Sequence, residues 1–353
     1  MPRIRLGTRG SLLAMAQSRL VAAALRRLHP SIDVELVTLS TRGDRNLHTP
    51  LTDVRDADFF SAELDEALLA GTVDFCVHSL KDLPATRPPG IQRAALPPRA
   101  NPRDVVVWRG DVVERLTTGL PLRIGSSSVR RQGNVADCLA WALPATGRPP
   151  VLEFVPVRGA VDARLARLGL PADSDDALDG VVLALAGLER LWGDADGRAA
   201  LAPLLAGVRW TVLPLARCPS AAGQGVLAIE CRAEDGDTFE VLRGLHDPAT
   251  AALVAAEESA VELTAPEHRP ALGATAIEHG GLGTVCFVRG TDDKGPFERL
   301  DWNRPPPPAS AVPFDGIAWQ RLCARQPEGA LPALEALAHG IAMFVAYWHA
   351  LEH

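Results

Sequence analysis

Apolar and polar residues alternate over Arg3 to Leu6, which predicts a short strand. Ser11 then opens a stretch with Leu12, Leu13, Ala16, Leu20 and Ala24 at helical spacing, as expected of an N-capped helix with one buried face. Val34 to Leu39 predicts a strand, Ala62 to Leu69 a helix, and Asp74 to Val77 a short buried strand. The rhythm returns after Arg103. Strands are predicted over Asp104–Trp108 and Leu122–Ile124, a helix from Ser127, a strand over Leu152–Val157, a helix over Val161–Leu168 and a strand over Gly180–Leu185. Val212–Leu215 and Val226–Glu230 add two more strands. This alternation predicts an α/β protein with mostly parallel, doubly wound sheets. Beyond about residue 236 the pattern loosens; Arg304 to Pro308 reads as a stiff loop and Leu331 to Leu351 as a closing helix.

A chain of 353 residues exceeds one compact core, so two or three domains are expected. Aromatic content of 5% with a single Tyr, and a net charge of -7, argue against a nucleic-acid partner. No secretory h-region follows the first residues, and Ile341 to Trp348 is too short to span a bilayer, which predicts a cytoplasmic protein with no membrane partner. The six cysteines are scattered with no C-x-x-C pair, a pattern of reduced thiols and not of a disulfide framework or a zinc site. Residues 351–353 read as a tag remnant.

Ligands of open α/β sheets sit at the carboxyl ends of strands, where helix N-termini offer free N–H groups. Four such junctions combine small or hydroxyl residues with arginine. They are Gly7-Thr8-Arg9-Gly10-Ser11, Thr41-Arg42-Gly43-Asp44, the run Gly125 to Gln132 with Ser126, Ser127, Ser128, Arg130 and Arg131, and Val157-Arg158-Gly159 followed by Arg164. Hydroxyl and backbone N–H groups cradle oxyanions, and arginine adds a bidentate fork for carboxylate. One serine run of this kind is ordinarily a plain N-cap. Four in one chain point to a site for a polyanion. Neither a P-loop nor a G-x-G-x-x-G is present, which favours carboxylates over a nucleotide.

A fifth junction, Val77-His78-Ser79-Leu80-Lys81-Asp82-Leu83-Pro84, follows the short buried strand. On the residues alone Asp82 has two readings. It is a carboxylate that holds positive charge developing on a substrate or shuttles protons, or a turn aspartate capped by its own backbone before Pro84.

The run from His78 to Pro84 resembles the signature HS-hydrophobic-KD-hydrophobic-P of the hydroxymethylbilane synthase (porphobilinogen deaminase) family. The runs GTRGS, TRGD, GSSSVRRQ, the RG of Arg158-Gly159, ALAGLERL from Ala184 and GQGVLAIECR from Gly223 resemble its other blocks, in its order and over roughly residues 3–260. The resemblance implies two periplasmic-binding-protein-like doubly wound domains around a cleft, plus a smaller C-terminal α+β domain. The corresponding spans are 1–102 with 211–231, 103–210, and 236–350. It implies a transferase that deaminates porphobilinogen and joins four units head to tail into a linear tetrapyrrole for haem-type biosynthesis. The implied cofactor is a dipyrromethane primer, thioether-linked to a cysteine of the third domain, with no metal. Asp82 then matches the catalytic carboxylate with Lys81 beside it. Arg9, Ser11, Ser79, Ser126, Ser127, Ser128, Arg130, Arg131, Arg158, Arg164 and Arg190 match positions that bind the acetate and propionate groups of cofactor and substrate. The implied partner is a small pyrrole dicarboxylate, and the implied state a monomer.

Two departures stand out. His268 occupies the position of the cofactor cysteine, and an imidazole cannot form the thioether. Where the family has lysines in its cleft lid, this chain has Asp53, Asp56 and Asp58, which place negative charge over an anionic ligand. Cys218, in an apparent insertion before GQG, is the alternative thiol. Three readings follow: an authentic synthase with its primer held noncovalently or through another residue, a divergent transferase on a pyrrole or other dicarboxylate, or a non-catalytic binder of an anionic pyrrole.

Overall fold

The computed structural model describes residues 3–40, 61–144, 149–279 and 283–302. The arginine junction at 41–44, the acidic segment at 53–60, the proline loop, the predicted closing helix and residues 351–353 lie outside the described residues.

Two five-stranded sheets share one plan. In the first, β1 (Arg3–Arg9) pairs in parallel with β2 (Asp33–Leu39) and β3 (Phe75–Ser79). In the second, β6 (Leu122–Gly125) pairs in parallel with β7 (Leu152–Val155) and β8 (Gly180–Ala184). Each sheet then receives an antiparallel strand from chain that has just left the other. β5 (Asp104–Trp108) enters the second sheet between β8 and β9 (Arg209–Val212), after β4 (Ile91–Ala95) has closed the edge of the first. β10 (Leu227–Arg232) returns to lie between β3 and β4. The double crossing is the periplasmic-binding-protein arrangement, and it makes two lobes joined by two chain segments.

The second lobe's crossing strand, Asp-Val-Val-Val-Trp, is buried on both faces, which its run of β-branched residues suits. The strand predicted over Val212–Leu215 instead ends at Val212, and Leu213 and Leu215 are buried side chains of the chain that follows. The helix predicted from Ser127 begins at Val129, because Ser128 is its N-cap.

Helices cover both sheets: α1 (Leu12–Leu28), α2 (Ala62–Leu69), α3 (Val112–Thr118), α4 (Val129–Ala142), α5 (Val161–Ala166), α6 (Leu185–Gly193) and α7 (Ala195–Leu201). α1 serves two cores. Val21, Ala22 and Leu25 bury against the first sheet, while Leu12, Leu13 and Ala16 join the apolar cluster of the second. Leu20, expected on the buried stripe, is exposed instead. Arg19 of α1 reaches Asp194 at 2.9 Å and Asp196 at 2.8 Å, so the lobes also meet through ions.

α8 (Gly236–Arg243) and α9 (Pro248–Glu262) lead into a three-stranded antiparallel sheet of β11 (Gly273–His279), β12 (Gly283–Asp292) and β13 (Gly295–Trp302). This is the small α+β unit. Glu257 of α9, fully buried, fastens it to the rest: it takes Arg99 Nη1 at 2.6 Å, Ala276 N–H at 2.7 Å and Gly223 N–H at 2.7 Å.

Candidate active site

Phe75, Cys76 and Val77 are buried in β3, and the strand ends at Ser79 in a single 3₁₀ turn, Leu80–Asp82. Leu80 is the anchor of that turn. It is buried among Leu96, Val226, Ala228 and Val254, and its N–H donates to the Val226 carbonyl at 3.0 Å. With Leu80 fixed inward, Asp82 is left exposed and no side chain caps the turn. Asp82 lies on the wall of a cleft with Arg9, Ser11, Gln17, His78 and Ser79. Gln17 Nε2 donates to Ser79 Oγ at 2.9 Å, and Ser11 Oγ accepts the Ala14 N–H at 3.3 Å as the cap of α1.

Lys81 turns toward the other lobe. Its Nζ donates to Gln224 Oε1 at 3.1 Å, and burial, with Arg131 and Arg130 adding, pushes the ammonium down to about 8 against the pull of Asp82 and Asp104. The Gln224 amide then donates to the Pro102 carbonyl at 2.7 Å and to Asp104 Oδ1 at 2.9 Å. Asp104 is fully buried and takes both arginines of the GSSSVRRQ run: Arg130 Nη2 at 2.7 Å and Arg131 Nη2 at 2.8 Å. Burial alone would raise this carboxyl, yet Arg130 and Arg131 hold it well below the usual carboxylate range.

This pairing modifies the expectation for Arg130 and Arg131. Both are buried, and their guanidinium groups also donate to the Pro219 and Val182 carbonyls. Their hydrogen bonds therefore go to protein, although their charge still acts on Lys81. The serines are likewise engaged locally. Ser127 Oγ donates to the Val157 carbonyl at 2.6 Å and accepts the Val157 N–H at 2.9 Å, welding the third junction to the fourth. Ser128 accepts the Arg131 N–H as the cap of α4, and the buried Ser126 Oγ accepts the Ser128 N–H at 3.4 Å.

Arg164 and Arg190 are different. Arg164 Nε donates to the Gly159 carbonyl at 2.8 Å and Arg190 Nη2 to the Gly225 carbonyl at 2.6 Å, and among the described residues neither meets a carboxylate at ion-pair distance. Burial pushes both down to about 10; at Arg164 the nearby Arg131 and Arg158 add to this and Asp82 opposes it. A half-buried cation whose hydrogen bonds go only to carbonyls is complementary to an anionic ligand. The influence of Arg131, Asp82 and Arg158 on Arg164 brings residues of three separate sequence blocks to one place.

Beneath the turn, His78, Asp65 and Glu230 lie with ligand atoms within 4.8 Å of one another. Arg87 bridges the two carboxylates, with Nη2 at 2.5 Å from Asp65 and 2.8 Å from Glu230. Burial, then Arg87 and Arg9, push His78 down to about 3, so its 3.6 Å approach to Glu230 is not an ion pair at neutral pH. The cluster supports the floor of the cleft.

Asp104, Gln224 and Glu257 were not singled out from sequence. Asp104 carries a readable signal, an acid opening an otherwise apolar strand; Gln224 lies in the GQG run, where nothing shows its bond to Lys81, and Glu257 carries no signal without its partners.

His268 lies in a 3₁₀ turn, Pro266–Ala271, that packs on α4. Its Nε2 is 3.4 Å from Asp293 Oδ1. Cys218, the alternative thiol, is fully buried in the second lobe's core, and burial pushes its thiol up. The cationic cleft therefore fits a carboxylate-bearing pyrrole primer, whereas the position of its covalent anchor does not.

Two lobes joined by two crossing segments, with the exposed Asp82 and Arg9 on one cleft wall, define an α/β protein of periplasmic-binding-protein architecture. Residues 4–240 match the family described as porphobilinogen deaminase, dipyromethane cofactor binding domain. The chain is 39% identical over 257 residues to the porphobilinogen deaminase of Syntrophobacter fumaroxidans, covering 72% of this chain and 74% of that protein. It is 39% identical over 313 residues to porphobilinogen deaminase 1 of Streptomyces avermitilis, covering 86% of this chain and 89% of that one. This chain belongs to the porphobilinogen deaminase family.

Proposed function

We propose that the protein is a transferase that deaminates porphobilinogen and couples the pyrrole units into a linear tetrapyrrole. The observation that carries this is the exposed Asp82 carboxylate within the influence of Arg164 and beside Lys81, in a cleft lined by Arg9, Ser11 and Ser79. Arginines hold the ring carboxylates, and the carboxylate of Asp82 stabilises the positive charge that forms on the pyrrole as ammonia leaves and the new bond is made. A mere binder of an anion gains nothing from a carboxylate aimed at its ligand.

In this reading Arg9, Ser11, Ser79, Arg158, Arg164 and Arg190 receive the acetate and propionate groups. Ser126, Ser127, Ser128, Arg130 and Arg131 form the opposite wall and add positive field. The spans 1–102 with 211–231, 103–210 and 236–350 serve as the domains, with β9 contributing to the second sheet although it overlaps the start of the return segment. The protein acts on this small pyrrole dicarboxylate as a cytoplasmic monomer with no nucleic-acid partner. The composition supports the last point, and among the described residues no helix is long and apolar enough to cross a membrane.

The test is ammonia release from porphobilinogen by the purified chain and by Asp82→Asn. Turnover by the native chain, reduced roughly 10²–10³-fold in the variant with porphobilinogen still bound, is the expected result. A native chain that binds porphobilinogen and releases no ammonia is a carrier, and the transferase reading is then wrong.

A further inference from the structure

We propose that this chain holds its pyrrole primer without a covalent bond, as an exchangeable ligand whose anchoring end sits in the groove between α4 and the turn 266–271, beside His268 and Asn134. The proposal rests on the transferase reading above and specifies how that site keeps its primer.

No described thiol is offered to a ligand. Cys76, Cys138, Cys218, Cys231 and Cys286 are all buried, and none lines the cleft or the groove. Burial pushes every one of these thiols up, Cys138 to about 11 and Cys286 to about 12, which removes the thiolate that would act as nucleophile. At the position of the family's anchor the chain presents the His268 imidazole.

The groove itself is lined by Arg130, Gln132, Asn134, Glu267, His268 and Thr291. Asn134 is only 5% exposed, and its Nδ2 has no hydrogen-bond partner. A buried donor left unmatched is costly, so this amide calls for an acceptor on a bound molecule. Arg130 is common to the groove and to the Asp104 network beside Lys81, which connects the groove to the reacting turn. Retention by charge replaces retention by a bond: Arg164 and Arg190, bonded to carbonyls and to no carboxylate among the described residues, are the counter-ions.

The full chain is incubated with porphobilinogen, desalted at low ionic strength and stained with an Ehrlich reagent, before and after denaturation and filtration. The expected result is colour on the native protein that passes into the filtrate on denaturation or at high salt, and a denatured chain of unmodified mass. His268→Cys is expected to keep the colour on the denatured chain and to gain the mass of the pyrrole primer. There the thiol sulfur bonds to the aminomethyl carbon, the carbon–nitrogen bond breaks, and the thiol proton leaves with ammonia. Asn134→Ala, with unchanged circular dichroism, is expected to retain pyrrole about tenfold less tightly. Colour that stays on the denatured native chain overturns the proposal and leaves the transferase reading intact. A folded His268→Cys protein that turns over porphobilinogen and gains no mass overturns the placement of the anchoring end. Absence of both colour and ammonia release overturns the proposal together with the reading beneath it.

Discussion

Lys81 Nζ lies 3.1 Å from Gln224 Oε1, and that one amide connects the turn bearing Asp82 to the buried carboxylate of Asp104. Gln224 sits where the chain returns from the second lobe to the first, between two glycines of positive φ, Gly223 and Gly225. The reacting turn, the hinge and the arginine pair are therefore one connected structure.

The charge on Lys81 sets a pH limit. Burial first, with Arg131 and Arg130, lowers its folded value from 10.5 to about 8, so it is cationic below about pH 8 and neutral above. Between those two values the unfolded chain binds more protons than the folded one, and stability from this group rises with pH. Pyrrole affinity runs the other way and is expected to fall as pH passes about 8. Lys81→Arg, which stays charged, is expected to remove that limb from a binding titration; a limb that survives the change assigns it to another group.

Replacing Asp104 leaves two buried guanidinium groups without their counter-charge. Asp104→Asn is expected to destabilise the fold by about 3–5 kcal/mol, read from denaturant unfolding. A loss below about 1 kcal/mol in the same measurement shows that Arg130 and Arg131 find other anions.

Arg164→Leu removes a half-buried cation that has no carboxylate at ion-pair distance among the described residues. Pyrrole binding is expected to weaken by about 1.5–3 kcal/mol while the melting temperature changes little, since the half-buried charge has no protein anion to lose. Arg164→Lys restores the charge without the bidentate fork and is expected to recover part of the affinity. Equal binding by all three proteins assigns Arg164 no role in the cleft.

Gly225 has φ +86°, and a Cβ built there stands 2.5 Å from the Ala100 carbonyl oxygen. Gly225→Ala is expected to cost roughly 1–3 kcal/mol from backbone strain, and more from the clash. Because Arg190 donates to the Gly225 carbonyl, pyrrole affinity is expected to fall with stability. Thermal unfolding with and without porphobilinogen separates the two effects.

Much of the fold was legible because its signals are local. The β-branched run Val105–Val107 cannot face water on either side, Ser11 and Ser128 cap the helices that follow them, and the alternation of strand and helix allows few arrangements. Boundaries moved where a single local contact decided them. Ser127 closes on Val157 beyond the paired strands β6 and β7, and Ser128 takes the N-cap, so α4 starts at Val129, two residues after its predicted start.

Of the site, residue types and their order carry the ingredients: an aspartate beside a lysine after a buried strand, several arginines at strand ends, and no cysteine at the anchor position. Residue type and spacing suffice for that, since they record which chemistry is present. Tertiary structure alone decided how those groups divide their work. Arg130 and Arg131 read like Arg164 in sequence, yet Asp104, 26 residues before Arg130, engages the first two. Arg164 and Arg190 are left bonded to carbonyls, with no carboxylate at ion-pair distance among the described residues. A charge becomes structural or available according to what burial places within about 3 Å of it, a distance set by the packing of lobes far apart along the chain.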